Sequence, residues 1–126
     1  MYSNGYNAYK TNSINYASKD QLLLMLVDGA VKFSKVAKQA IEKKNIKDAH
    51  NAITRTEDIF TELRASLDVR AGDWAKQMFE IYGFINEKLV EANIKKDVQI
   101  IDEIIPLIEE IRDIWYEAEK RAKSMN

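Results

Sequence analysis

The 126-residue chain has no cysteine, which excludes disulfides, thiolate catalysis and cysteine-ligated zinc and fits a reducing compartment. Histidine occurs once, at His50. A carboxylate-bridged di-iron bundle needs Glu-x-x-His pairs, and Lys47 stands three residues before His50, so no such site can be built. No nucleophile accompanies His50, which reads as a boundary residue of a helix. The longest unbroken apolar run, residues 22–27, is far too short for a bilayer, and no basic segment leads into an apolar stretch at the start of the chain. We therefore expect a soluble, intracellular protein with no direct membrane insertion. Charge of either sign is also without excess: 19 Lys and Arg face 20 Asp and Glu, a net charge of −1 that gives nucleic acid no global field to follow. A glycine-rich phosphate loop is missing. The acidic doublets Asp102-Glu103 and Glu109-Glu110 read as the solvated face of a charged helix. The expectation is a protein that is not an enzyme and carries no metal and no cofactor.

Glycine and proline are scarce, at four and one, and what fills their place is helical periodicity. Ser18-Lys-Asp-Gln21 has the form of a capping box and predicts a first helix to about residue 44. Asn45 can cap a second helix to about residue 68, with Asp48 favourably placed in its first turn. A third follows the Arg70-Ala-Gly-Asp73 break and ends near Asn93; a fourth runs from about Asp97 toward Lys123. Short connections between long helices predict an all-α, antiparallel up-down four-helix bundle over residues 17–126, preceded by an arm over residues 1–16. Asp28-Gly29 is a turn dipeptide, yet the periodicity runs through it, so Gly29 is expected to mark a close helix approach. Pro106 removes a backbone donor and crowds the carbonyl of Asp102, about 3 kcal/mol in a regular helix, which predicts a kink near Ile105.

The apolar surface exceeds what such a bundle requires. In the first helix Leu22, Leu26, Phe33, Ala37 and Ala40 form a core stripe, while Leu24, Val27 and Val31 fall on a second stripe around from it. In the fourth, Ile101, Ile104, Ile105, Ile108 and Trp115 suffice for the core, and Ile100, Leu107, Ile111, Ile114 and Ala118 widen the arc past half the circumference. The third adds Phe79 and Val90 beside a core set of Trp74, Met78, Ile81, Ile85 and Leu89. A bundle helix needs an apolar arc a little over 100° wide. The surplus is either ordinary core around a buried central helix or a groove for a partner that docks amphipathic or extended apolar segments. The arm MYSNGYNAYKTNSINY holds four of the six tyrosines and one charge, Lys10. It is either a frayed end or a cover for that groove, anchored by Tyr6, Tyr9 and Ile14.

The run Ala17-Ser-Lys-Asp-Gln-Leu-Leu-Leu-Met-Leu-Val-Asp-Gly-Ala30 resembles the signature of the flagellin-specific export chaperones of bacterial flagella. The resemblance extends through Tyr9, the stretch from Leu63 to Leu67-Asp68, Ile81-Tyr82, Leu89-Val-Glu-Ala-Asn93 and Trp115, and departs at Lys19, often proline in the family, and Val27, often tyrosine. It implies a cytoplasmic chaperone that is not an enzyme, binds the disordered C-terminal segment of flagellin along its outside, and escorts it to a component of the flagellar export gate. The partner-binding residues expected on this basis are Leu24, Val27, Val31, Phe79, Val90, Ile100, Leu107, Ile111 and Ile114. Two other classes stand beside it. A helical adaptor for another protein would use the same arcs, and a single-stranded nucleic acid binder would need a basic groove beside the tyrosines, which Lys10 alone does not make.

Overall fold

The computed structural model describes residues 19–124. Among these residues there are four α-helices, α1 (Lys19–Glu42), α2 (Ile46–Ser66), α3 (Asp73–Lys95) and α4 (Val98–Ser124), with a short 3-10 turn at Val69–Ala71 leading into α3. Asn45 caps α2 as expected: its Oδ1 accepts the Asp48 amide at 3.1 Å and its Nδ2 donates to the Asp48 carboxylate at 2.7 Å. Lys44 turns left-handed to close the α1/α2 connection, and Lys96 does the same after α3. Gly72 opens α3 at φ 149°, a conformation that side chains disfavour. The expected Ser18 capping box and the arm residues Tyr6, Tyr9 and Ile14 lie outside the described residues. Pro106 sits on the exposed face of α4, and the helix runs on through it.

Each helix packs against two others in the ring order α1, α2, α3, α4, and the diagonal pairs do not approach. Neighbours are antiparallel. Along α1 and α4 this shows in the series Asp28 with Tyr116, Lys35 with Glu109 and Lys38 with Asp102. Along α2 and α3 it shows in His50 with Asn93, Thr61 with Asn86 and Arg64 with Phe79. Gly29 marks a close approach to α2, since a Cβ there would stand 3.1 Å from Ile59 Cδ1.

The core line of α1 is Val27, Ala30, Val31, Ser34, Ala37 and Ala40. This corrects the expectation for Val27 and Val31. The bundle axis lies between α2 and α4 as seen from α1, so these two residues point inward, while Leu22, Leu26 and Phe33 fall on the flank toward α2 and are half-buried. Ile100 and Ile111 are corrected in the same way: both are buried, because the arc beside the α4 core stripe is closed by the bundle. The two polar core residues are satisfied locally, Ser34 Oγ donating to Val31 O and Thr56 Oγ1 to Ala52 O, each at 2.9 Å.

Candidate functional site

The flanks of α3 and α4 can be assigned from their contacts. On α4, Asp102, Glu109 and Tyr116 reach α1: Lys38 Nζ lies 2.8 Å from the Asp102 carboxylate, Lys35 Nζ 3.1 Å from Glu109, and the Tyr116 hydroxyl donates to Asp28 at 2.6 Å. The Asp102 hydrogen bond raises the pKa of Lys38, and the bond to Asp28 raises that of Tyr116. Exposed pairs of this kind contribute little stability. What they fix is orientation. At about 100° per residue, Leu107 and Ile114 fall on the other side of the core stripe, toward α3.

The same reasoning orients α3. Phe79, Asn86 and Asn93 meet α2: the Arg64 guanidinium lies over the Phe79 ring at 3.9 Å and its Nε donates to the Phe79 carbonyl at 3.1 Å. Trp74 and Ile81 therefore occupy the flank toward α4, and Trp74 confirms it by meeting Trp115 edge-on with ring centroids 6.1 Å apart. Beneath that pair the Trp115 indole donates to the Tyr82 hydroxyl at 2.8 Å, and Tyr82 stacks at a tilt on Phe60. Burial pushes the Tyr82 phenol up to about 12, the Trp115 bond partly opposing it, so at neutral pH the phenol stays uncharged and accepts the indole N–H.

The seam between α3 and α4 thus carries four large apolar side chains at its surface: Trp74 (52% exposed), Ile81 (41%), Leu107 (36%) and Ile114 (46%). Among the described residues no ion pair crosses it, whereas the α1/α4 seam is stitched by two. Four such residues along one strip are surplus to folding and free to meet a partner.

Of the residues singled out in the sequence, Leu107 and Ile114 come together here. Leu24 is half-buried nearby, in a cleft of about 90 Å³ with Leu23, Trp115 and Ala118. Phe79 is covered by Arg64, and Val90 stands on the α2 side of α3 beside Phe84, so neither joins the seam. Val27, Val31, Ile100 and Ile111 lie in the core beneath. Sequence reasoning missed Trp74 and Ile81 by placing them in the α3 core. Their spacing of seven, two turns along one side, was the available signal.

The family model for flagellar protein FliS matches residues 2–122. The chain belongs to the FliS family. Among curated FliS relatives, the flagellar secretion chaperone FliS of Bacillus subtilis (strain 168) is 34% identical over 115 residues, 91% of this chain and 86% of that protein. The flagellar secretion chaperone FliS of Salmonella typhimurium is 30% identical over 129 residues, 97% of this chain and 96% of that protein. A crystal structure of a flagellar chaperone from bacteria superposes with a TM-score of 0.75 at 16% identity, covering 96% of this chain and 99% of that one, which shows that the two share a fold. In this FliS member no described helix is long and apolar enough to cross a membrane, and the described residues gather no three His, Cys, Asp or Glu side chains suited to hold a metal ion.

Proposed function

We propose that this FliS-family chain is a cytoplasmic chaperone that binds the disordered C-terminal segment of flagellin, keeps it from polymerising early and delivers it to a component of the flagellar export gate. The observation that carries this reading is the α3/α4 seam, with Trp74, Ile81, Leu107 and Ile114 exposed and no ion pair across it. These four side chains are already more than half covered on average, so burying what remains exposed is worth about 3 to 5 kcal/mol. Ordering a disordered chain costs about 1 to 2 kcal/mol per residue, so the seam alone offsets the ordering of roughly three residues. A longer client must bury apolar surface beyond it. The Leu24 cleft beside Trp115 is the adjoining place to do so.

In the same reading residues 1–16 cover the seam when it is empty, with Tyr6, Tyr9 and Ile14 as anchors. A tethered arm is present at an effective concentration on the order of millimolar, so weak docking suffices. Calorimetry of the full chain against a C-terminal flagellin peptide tests the function: heat with a saturable stoichiometry supports it, and no heat with unchanged thermal stability would leave a helical adaptor for some other protein. Removing residues 1–16 tests the arm. Association with flagellin should speed up, and unchanged rate and affinity would contradict a cover.

A further inference from the structure

At the far side of the ring from the α3/α4 seam, Lys43 and Arg55 bring two positive charges together near the α1/α2 connection. Between α1 and α2, near their connection, a pocket of about 300 Å³ has an apolar wall of Phe33, Val36, Ala40 and Ala52. Two cations, three amides and one carboxylate line its remainder. The Arg55 guanidinium lies flat over the Phe33 ring at 4.3 Å, which holds its N–H fork in place, and Lys32 Nζ approaches the same ring at 5.4 Å. Lys43 and the amides of Gln39 and Asn51 complete the rim. Among the described residues Arg55 and Lys43 enter no ion pair, and the one carboxylate, Asp48, already accepts a hydrogen bond from the Asn45 side-chain amide at 2.7 Å.

We propose that this pocket is a second docking surface, which takes a carboxylate side chain flanked by an aliphatic residue on a segment of a partner protein. Arg55 and Lys43 give the pocket two positive charges against the single carboxylate of Asp48, and an Arg fork is the side chain best matched to a carboxylate held in two hydrogen bonds. The apolar wall favours a peptide over a free anion, because a small carboxylate leaves Val36, itself exposed, in water. The pocket lies across the bundle from the α3/α4 seam, so the proposal stands or falls separately from the function proposed above.

The test is amide chemical-shift mapping on the full chain with two short peptides, Leu-Asp-Leu in the centre of one and Leu-Asn-Leu in the other, together with acetate at the same concentration. The carboxylate peptide should shift Phe33, Val36, Asn51, Ala52 and Arg55, and the amide peptide should bind about tenfold more weakly. Arg55→Met keeps an apolar stem over Phe33, and it should abolish that difference; Lys43→Ala should weaken the carboxylate peptide alone. Equal shifts from acetate, equal binding of the two peptides, or shifts centred on the α3/α4 seam would each overturn the proposal.

Discussion

Tyr82 brings a phenol into the bundle interior, and its ionisation should be readable in stability. The folded pKa of about 12 lies above the ordinary value near 10, so the neutral phenol is the form the fold favours. Its contribution is complete below pH 10 and is lost as pH rises from 10 to 12, a change of about 2 kcal/mol. Urea titrations across that range should show the wild type falling faster than Tyr82→Phe; parallel curves would contradict the assignment. At neutral pH the same substitution leaves the Trp115 indole without its acceptor and should cost about 1 kcal/mol. Neighbouring isoleucines on α4 divide as sharply. Ile111 is buried and Ile114 is half exposed. Ile111→Ala should lose about 2 to 5 kcal/mol, and Ile114→Ala within about 0.5 kcal/mol, in the same denaturation measurement.

Among the helices, the boundaries were legible because caps and breaks are chemical. Asn45 caps α2 where its side chain predicts, and Gly72-Asp73 opens α3. Gly29 was legible as a close approach because a turn dipeptide inside an unbroken period has few other meanings. Gly29→Leu should wedge against Ile59, force α1 from α2 and cost about 1 to 3 kcal/mol, checked by a lower Tm with helicity retained. The direction of each helix's core was less legible. In α1 the deepest positions are alanines, two valines and Ser34, while the bulky Leu22, Leu26 and Phe33 lie on the flank toward α2. Size in the sequence therefore pointed about a quarter-turn away from the axis. The same fault put Trp74 and Ile81 inside α3 and Ile100 and Ile111 outside α4. Periodicity reports that an apolar arc exists; which part of it is covered depends on where two neighbours stand, and no local pattern carries that.

In the molecule as a whole, the four seams of the ring differ in how they are closed. Small residues and Gly29 bring α1 and α2 together, ion pairs register α1 on α4, and Arg64, Thr61 and His50 tie α2 to α3. Between α3 and α4 the surface is left apolar. Docking there should depend little on salt, since no charge pair contributes, and raising ionic strength should leave the affinity for flagellin within a few-fold. The measurement that bears most directly on the seam as the client surface is calorimetric binding of a C-terminal flagellin peptide to the wild type and to Ile81→Glu and Leu107→Glu, with far-UV circular dichroism on each. Both variants should keep wild-type helicity and bind at least tenfold more weakly. Wild-type affinity in both folded variants would contradict the account.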